Sequence, residues 1–358
     1  MNYMKVSDAI KNAHTYLKAW VVKRYNLKKI KEATKGTRPL TKEQHAEIDA
    51  LYGPYARVSH LYHQFYYAHN GIWSATYLPT DLYANRICTY FNSGTDAKVM
   101  DNKCLYPVLF NGISQPENAA YRMNGFWFDA DRKQIDEAGL RALLDAEPAL
   151  FVKAATISFG GKGVVYVAAD KGSVSEQVMK AVGEMTGDIV VQRPIRQHES
   201  ISRLNPHAVN TIRVVSLLRE GGVKIYSTLL RMGVGTAKVD NASSGGVTCG
   251  ILEGGRLTKL AFFQDGSSCT EHPETGVVFE NYVIPNFDKV LDLVRRAHPM
   301  LPHFRLIAWD IALDETGEPV MIETNLTRGG TVAQQMHFGT VFGDDTKAIL
   351  DEVFGKKK

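Results

Sequence analysis

The chain has 358 residues, of which 44% are hydrophobic and 22% are charged, and its formal net charge is +4. A chain of this size and composition buries substantial cores in two or three lobes, which excludes a disordered or fibrous protein. The apolar stretch near the N-terminus is interrupted by Lys18 and Lys23, unlike a signal peptide, and no apolar run reaches the roughly 20 residues of a membrane span. The four cysteines lack the spacing of zinc ligands. The sequence therefore predicts a cytoplasmic globular protein.

The positive charge is concentrated at the N-terminus. Residues 1–38 contain ten Lys or Arg and two acids, a local charge of +8, so the remaining residues sum to −4. Apolar residues such as Trp20 and Leu27 are interleaved with the basic ones. One interpretation of this segment is a basic helix that packs on the body of the protein. The other is a segment that docks on an anionic membrane surface or on an acidic partner.

Periodicity along the chain predicts three regions. Residues 1–95 are mostly helical, and their aromatic-rich stretch 52–67 is typical of packing rather than of base stacking on a nucleic acid. Residues 96–190 mix helix and strand, and strand patterns dominate residues 191–352. The predicted helices are Glu137–Leu144 and Pro285–Ala297, and the predicted strands are Leu150–Ala155, Gly163–Ala168, Ile189–Gln192, Thr211–Leu218, Lys224–Met232, Phe304–Leu313 and Val320–Glu323. Because these elements lack a regular βαβ rhythm, an α+β fold is favoured.

A glycine-rich turn separates the two strands of the middle region. It contains Ser158, Gly160, Gly161 and Lys162, with Gly163 beginning the second strand. Glycine lets backbone N–H groups approach phosphate oxygens, and lysines here and on the preceding strand add positive charge. The turn lacks the Gly-Lys-Ser/Thr sequence of a Walker A loop and opens no helix. It fits either a phosphate-binding lid or an ordinary hairpin turn.

The segment Phe304–Asn325 predicts a β-hairpin with its loop at Glu315–Glu318. Side chains alternate between the two faces of a strand, so the register determines which residues share a face. The predicted pairs are Asp314 with Pro319, Leu313 with Val320, Ile311 with Ile322 and Asp310 with Glu323. Asp310, Glu323 and Asn325 then share the face opposite the apolar residues.

Two carboxylates directly across a strand pair repel each other, so Asp310 and Glu323 require a compensating charge. Asp, Glu and Asn offer oxygen ligands, which suit Mg²⁺. The alternative is that the two acids face solvent or pair with Arg and Lys. The turn sequence that follows Asn325, Leu-Thr-Arg-Gly-Gly, favours a functional site.

The glycine-rich turn and the acidic hairpin, together with the segments named next and in this order along the chain, resemble the ATP-grasp superfamily over about residues 95–335. The resemblance begins at Asp101-Asn-Lys103, continues through Gly112-Ile-Ser-Gln-Pro and the strand Ile189–Gln192, and ends at the acidic hairpin. It implies an ATP-grasp fold, in which two α+β lobes grip ATP, here with an additional helical N-terminal region.

The resemblance also implies roles for individual residues. The ATP phosphates would be reached by Lys103 and Lys153 and covered by the glycine-rich turn. Adenine would meet the Gln192 side chain, where glutamate is commoner, and the backbone of Arg193, Pro194 and Ile195, while Glu199 would hold the ribose. Two Mg²⁺ ions, for which Mn²⁺ is an alternative, would be held by Asp310, Glu323 and Asn325.

A finer resemblance is to the sugar-transfer associated ATP-grasp proteins of polysaccharide and capsule gene clusters. The motifs that carry it are Asn210-Thr-Ile-Arg213, Leu229-Leu-Arg231-Met-Gly, Asp240-Asn-Ala-Ser-Ser-Gly-Gly246, His272-Pro-Glu-Thr-Gly276 and Trp309-Asp310. The usual Asp-Thr-Gly stands here as Glu274-Thr-Gly. This resemblance implies a role in cell-surface polysaccharide biosynthesis and a glycosyltransferase as a partner of the basic N-terminus.

The activity implied is ATP-dependent ligation of a small-molecule or sugar carboxylate to an amine through an acylphosphate. Lys153, Arg213 and Arg231 would stabilise the transferring phosphoryl group. The alternative for the two arginines is that they are strand residues paired with surface acids. His272 suits a base, a substrate contact or a structural loop residue. The alternatives are a kinase acting on a sugar hydroxyl and a non-catalytic nucleotide-binding partner of a glycosyltransferase.

Overall fold

A computed structural model of the chain describes Arg24 and residues 27–156, 163–235, 245–327 and 329–355. The basic residues 1–23 lie outside this part. The chain divides into two compact units, one built from Met1–Tyr90, Asp265–Ser267 and Gly330–Lys358, the other from Phe91–Gln264 and Ser268–Gly329. We refer to them as the N-terminal unit and the sheet unit. Within the described residues, no helix has the length and apolar character needed to cross a membrane.

The N-terminal unit is helical. Its helices are α1 (Lys42–Tyr52), α2 (Leu61–Asn70), α3 (Thr80–Leu82), a π-helical turn at Tyr83–Ile87, the start of α4 (Cys88–Phe91), and, from the C-terminal segment, α11 (Val332–Phe338) and α12 (Thr346–Val353). Helix α1 begins with a capping box between Thr41 and Gln44. The Gln335 side chain donates to the carbonyl of Leu78, 3.1 Å away, which ties the C-terminal segment to the N-terminal helices.

The aromatic-rich stretch forms the core of the N-terminal unit. Tyr52, Tyr62, Phe65 and Tyr66 are all buried. Tyr66 stacks on Tyr77 with their ring centroids 4.8 Å apart. Such pairs add to the free energy gained from the buried area alone. The prediction that this stretch packs is therefore confirmed.

The sheet unit contains a five-stranded antiparallel sheet in the order β2-β1-β5-β3-β4 among the described residues. Its strands are β1 (Asn118–Met123), β2 (Phe126–Asp129), β3 (Ala149–Ala154), β4 (Val164–Ala168) and β5 (Ile189–Gln192). The helices α7 (Glu137–Asp145) and α8 (Val174–Gly183) pack on it through Leu140, Leu144 and Val178. Short helices α5 (Gly94–Met100) and α6 (Tyr106–Leu109) precede the sheet.

The second sheet of this unit has the order β10-β9-β8-β7-β6-β11-β12 over the residues described, and its strands are also antiparallel. Its strands are β6 (Thr211–Arg219), β7 (Gly222–Met232), β8 (Val247–Ile251), β9 (Leu257–Phe262), β10 (Ser268–Cys269), β11 (Leu306–Leu313) and β12 (Pro319–Asn325). A four-residue helix α9 (Glu199–Ser202) precedes it, and α10 (Phe287–Ala297) packs against it through Val290, Leu293 and Val294.

The hairpin β11–β12 has the predicted pair Asp310–Glu323, but the register nearer the loop differs from the prediction. Leu313 faces Pro319 and Ile311 faces Met321, and a bulge follows at Ile322. The loop spans Asp314–Glu318, because the Asp314 carboxylate accepts from the backbone N–H of Thr316 and of Glu318. The expected pairs of Asp314 with Pro319, Leu313 with Val320 and Ile311 with Ile322 are therefore wrong by one residue, and the bulge restores the register at Asp310.

A buried polar network joins the C-terminal end of α10 to strands β6 and β11 of the second sheet. His298 donates from Nε2 to the Phe304 carbonyl, 3.0 Å away, so its Nδ1 accepts from the Ser216 hydroxyl at 2.7 Å. The Trp309 indole N–H donates to the same hydroxyl oxygen at 2.8 Å. Because every group has a partner, the network holds His298 as a neutral imidazole.

The stability of the protein should therefore depend on His298 at mildly acidic pH. Burial lowers the pKa of His298 to about 4. An unfolded histidine takes up its proton near pH 6.5, so between these values the unfolded state binds more protons and stability falls as the pH falls. Relative to His298→Gln, wild type should lose on the order of 3 kcal/mol of unfolding free energy between pH 6.5 and pH 4. Urea unfolding of both proteins across this range measures the difference, and a pH-independent difference would contradict it.

Candidate active site

Asp310 lies at the centre of a cluster of charged side chains on the second sheet. It faces Arg213 across the β11–β6 pair, and Arg231 lies on the adjacent strand β7. Arg213 binds Asp310 with two parallel hydrogen bonds, from Nε to Oδ1 and from Nη2 to Oδ2, the latter at 2.7 Å. Arg231 Nη1 donates to Oδ2 at 3.0 Å. Asp310 is therefore fixed by two guanidinium groups.

The burial of this cluster determines the charge of Asp310. Asp310 is 2% exposed, and the side chains of Arg213 and Arg231 are 14% and 13% exposed. Burial penalises the carboxylate, but the two guanidinium groups outweigh that penalty and hold the pKa of Asp310 well below its usual range. Asp310 is thus a permanent carboxylate at neutral pH.

Glu323, the cross-strand neighbour of Asp310, pairs with a different cation. Lys103 Nζ lies 3.0 Å from Glu323 Oε2. Burial disfavours the ammonium of Lys103, but Glu323, Tyr106 and Asp101 outweigh this and raise its pKa. Between them, the two arginines and this lysine compensate the repulsion that the sequence predicts for the facing carboxylates.

Lys103 connects the two sheets of the sheet unit. Its backbone N–H donates to the carbonyl of Ala155, 2.8 Å away, just after β3, while its side chain reaches Glu323 on β12. The preceding residue, Asn102, donates to Asp188 at 2.9 Å, immediately before β5. The Asp-Lys segment is therefore held against the first sheet and presents its ammonium to the second.

The opposite face of β12 is anchored by the same segment. The Thr324 hydroxyl lies 3.2 Å from Asp101 Oδ1, to which it donates, and 3.0 Å from the Tyr106 hydroxyl. The Thr324 backbone N–H also donates to the Tyr106 oxygen at 3.1 Å. Burial raises the pKa of Asp101 to about 7, against the Thr324 hydrogen bond and the charge of Lys103. Thr324 is thus fixed by Asp101 and Tyr106, which lie on either side of Lys103 in the chain.

A chain of three hydrogen-bonded polar side chains crosses the first sheet from β3 through β5 to β1. Lys153 Nζ donates to Gln192 Oε1, and Gln192 Nε2 donates to Asn118 Oδ1, both at 2.9 Å. Lysine has only donors, so the Gln192 oxygen must face it and the amide nitrogen must face Asn118. The orientation of the buried Gln192 amide is therefore determined by its neighbours.

The residues after Gln192, which are expected to contact adenine and ribose, differ in their contacts and in their exposure. The Arg193 side chain pairs with Glu147 and, 3.2 Å away, with Glu117. Pro194 and Ile195 are partly buried, and Glu199 is exposed in the first turn of α9. The side chain of Arg193 is thus used structurally, and its backbone N–H donates to the Glu117 carbonyl, 2.8 Å away.

The glycine-rich turn is only partly described. Ser158, Gly160, Gly161 and Lys162 lie outside the described residues. Gly163 closes the base of the turn, where the Ala154 N–H donates to its carbonyl at 2.9 Å, with φ of +84°. Glycine adopts this backbone conformation without strain.

His272 has a structural environment. It is fully buried, and its Nε2 donates to the carbonyl of Gly233, 2.9 Å away. Asn205 donates to the same carbonyl at 3.0 Å. These two side chains fix the backbone immediately after β7, the strand that carries Arg231. This geometry favours the structural role of His272 over a role as a base.

The donor atoms of the acidic hairpin suit a hard divalent cation. Asn325 Nδ2 lies 3.4 Å from Asp310 Oδ2, which only accepts, so the Asn325 amide oxygen points away and is available as a ligand. Glu323 is 34% exposed and has a single lysine contact. Oxygen ligands of this kind, completed by waters and phosphates, fit Mg²⁺. Asp310, Glu323 and Asn325 therefore lie close together on the hairpin, and their role as metal ligands stays a prediction.

Asn118, Asp101 and Thr324 are site residues to which the sequence assigned no role. Asn118 contacts Gln192 only because β1 pairs with β5, and β1 carries no strong strand signal. Asp101 was recognised as part of the Asp-Lys segment, but its contact with Thr324 spans 223 residues of sequence. Pairings of this kind depend on tertiary structure, and spacing alone does not indicate them.

Comparison with protein families gives one match over most of the chain. A family model described as sugar-transfer associated ATP-grasp matches residues 83–350. This range includes every residue of the charged cluster. A comparison with curated proteins gives no significant match.

The solved structures that match this chain include a ligase and a carboxylase. The D-alanine-D-alanine ligase from Coxiella burnetii is 13% identical, with a TM-score of 0.42, and the match covers 72% of this chain and 57% of that chain. A biotin carboxylase from Campylobacter jejuni is also 13% identical, with a TM-score of 0.42, over 72% of this chain and 46% of that chain. The chain thus spans about half the length of these proteins.

Proposed function

Because the chain belongs to the sugar-transfer associated ATP-grasp family, we propose that it is a cytoplasmic ligase that uses ATP and Mg²⁺ to join a carboxylate to an amine. The substrate class would be a sugar or small-molecule precursor in cell-surface polysaccharide biosynthesis. ATP-grasp proteins are ATP-dependent carboxylate–amine ligases and related enzymes, so the choice of carboxylate and amine is the specific part of the proposal.

The observation that carries this proposal is the convergence of two acids and three cations on one site. Asp310 and Glu323 are adjacent across β11 and β12, and they pair with Arg213, Arg231 and Lys103. Phosphoryl transfer requires positive charge around the phosphoryl oxygens and oxygen ligands for the metal. The cluster offers both within a few ångströms.

In the proposed reaction, the carboxylate attacks the γ-phosphate, ADP leaves, and the amine then displaces phosphate from the acylphosphate. Lys103 and Lys153 would position the polyphosphate, and Arg213 and Arg231 would hold the Asp310 carboxylate rigid. When bound, two Mg²⁺ ions would neutralise the phosphate charge. Arg213 is largely committed to Asp310 and to the Gly329 carbonyl, 3.2 Å away, so its main contribution would be positioning.

The test is a panel of carboxylates and amines assayed for ADP release, with mass analysis of the products. ADP release that requires both an acid and an amine, with loss of water from their combined mass, supports a ligase. A product that gains a phosphate on a sugar hydroxyl indicates the kinase alternative. Nucleotide binding without ADP release under any combination indicates a non-catalytic partner of a glycosyltransferase.

The fixed amide of Gln192 leads to a prediction about base recognition. If Gln192 meets the base, its oxygen can accept from the 6-amino group of adenine, whereas the 6-carbonyl of inosine needs a donor. Asn118→Leu removes the acceptor of Gln192 Nε2, which is one of the two contacts that orient the amide, so turning the amide toward inosine costs less free energy. The ATP-to-ITP affinity ratio should fall about tenfold, the effect of one hydrogen bond.

Competition of ATP and ITP against a fluorescent nucleotide measures this ratio, in which the common triphosphate contributions cancel. Asn118→Asp is the matched control, since aspartate still accepts from Gln192 and should preserve the preference for ATP. A ratio that is unchanged in Asn118→Leu would show that Asn118 does not orient the amide.

The basic segment 1–38, with its charge of +8, supports a further part of the proposal, contact with a glycosyltransferase or with an anionic membrane surface. Co-sedimentation of the full chain with vesicles of neutral lipid, with and without anionic lipid, tests the membrane contact. Equal recovery with both vesicle types would exclude it.

A further inference from the structure

The two acids of the β11–β12 hairpin and the three basic side chains paired with them do not add up to a negative charge. Asp310 and Glu323 contribute two negative charges, while Arg213, Arg231 and Lys103 contribute three positive charges. Each of the five side chains takes part in an ion pair, Asp310 with the two arginines and Glu323 with Lys103. Among the described residues, the site thus has a net charge of +1 around the oxygens that suit Mg²⁺.

A further acid nearby, Asp101, does not make the net charge of the site negative. Asp101 lies on the other face of β12, where it accepts from Thr324. When protonated it leaves the site at +1, and when ionised it brings the site to zero. In neither state do these described side chains give an excess of negative charge to attract a bare divalent cation.

The two acids are compensated in different ways. Asp310 is held by the planar forks of two arginines, with a bidentate pair from Arg213. Glu323 is held by the single ammonium of Lys103, on a flexible stem. An ammonium is a point charge that rotates away more readily than a bidentate guanidinium. Glu323 is therefore the acid that can be released.

From these contacts we infer that Lys103 excludes free divalent cations from Glu323, and that the metal enters only together with a polyphosphate. The polyphosphate gives the Lys103 ammonium a new anionic partner, which frees Glu323 to bind the metal. Metal and polyphosphate then raise each other's affinity by the same factor, as linkage requires. This inference rests on the proposed function, because it assumes that Glu323 is a metal ligand.

The experiment measures Mn²⁺ binding to the nucleotide-free protein by the loss of the free Mn²⁺ signal in electron paramagnetic resonance. Wild type should bind Mn²⁺ weakly. Lys103→Met removes the competing charge and should bind Mn²⁺ at least about tenfold more tightly. Lys103→Arg keeps the charge and should behave as wild type.

Two further variants identify the site that Mn²⁺ occupies. Lys289→Met is the matched control, because Lys289 pairs with Glu318 at the exposed loop of the same hairpin, and Mn²⁺ affinity should not change. Adding Glu323→Gln to Lys103→Met should return Mn²⁺ affinity to the wild-type value. Equal affinity of wild type and Lys103→Met, or tight Mn²⁺ binding by nucleotide-free wild type, overturns the inference.

A second measurement does not depend on the folding of any variant. In EDTA, wild type should bind inorganic tripolyphosphate, since the site attracts anions without metal, and the absence of such binding also overturns the inference. The outcome is separable from that of the proposed function. If wild type binds Mn²⁺ tightly without nucleotide but still releases ADP, only the inference is contradicted. If Mn²⁺ binding is weak in wild type and tighter in Lys103→Met, but no substrate gives ADP release, only the proposed function is contradicted.

Discussion

Glu323→Gln should abolish ADP formation while leaving nucleotide binding measurable. An amide oxygen is a poorer Mg²⁺ ligand than a carboxylate, which can bridge two ions. The charge stabilisation lost would act chiefly in the transition state, so turnover should fall by roughly two to four orders of magnitude and affinity by much less. Steady-state ADP release and binding of a fluorescent nucleotide measure the two effects separately.

The control for this variant lies on the same hairpin. Glu318 pairs with Lys289 at the exposed end of the loop, with both side chains 51% exposed. Glu318→Gln removes the same charge without touching the cluster, so turnover should stay within about twofold of wild type, as exposed ion pairs contribute little. Near-normal turnover in Glu323→Gln would show that Glu323 is not a catalytic metal ligand.

The hairpin illustrates how far sequence can predict the site. Alternation of apolar and polar residues correctly placed Asp310 opposite Glu323. Two deviations that alternation does not reveal, the longer loop closed by Asp314 and the bulge at Ile322, shift the register by one residue in opposite directions. The core contact of Ile311 is consequently with Met321. The predicted pair of Asp310 and Glu323 is found because these deviations cancel at Asp310.

Strong local patterns predicted the elements that carry most of the site. The strand Ile189–Gln192 has its predicted bounds, and Phe287–Ala297 lies within the predicted helix. Strands β1 and β2 were not predicted, because polar residues such as Asn118 and Arg122 interrupt their alternation and they are stabilised by pairing with β5 and with each other. Tertiary pairing of this kind overrides local propensity.

The sequence alone did not indicate which groups compensate the negative charges of the two facing acids. Either a metal or basic side chains could compensate Asp310 and Glu323, and the structure provides two arginines and a lysine. Sequence could not select them, since Arg213 and Arg231 come from strands about 80 to 100 residues away. Both arginines belong to motifs that carry the family resemblance, so their pairing with Asp310 gives those motifs a physical role.

Asp310→Asn should strongly destabilise the protein, independently of any metal. The substitution leaves the guanidinium groups of Arg213 and Arg231 largely buried and without their shared carboxylate. Breaking a buried pair by removing one partner costs about 3 to 5 kcal/mol, because the remaining charge is uncompensated. Urea unfolding in EDTA, without nucleotide, should show a loss of this size.

Two comparisons test whether uncompensated charge is the cause of that loss. Asp292→Asn breaks an exposed pair with Arg295 on α10 and should change the unfolding free energy by less than about 0.5 kcal/mol. Adding Arg231→Met to Asp310→Asn removes one of the two charges that Asp310 balances, so the double variant should be more stable than the sum of the two single changes predicts. A loss below about 1 kcal/mol in Asp310→Asn, or strict additivity in the double variant, would mean that the arginines do not depend on Asp310. Their orientation toward Asp310 would then need a different cause, and the positioning role proposed for them would fail even if Asp310 still binds metal.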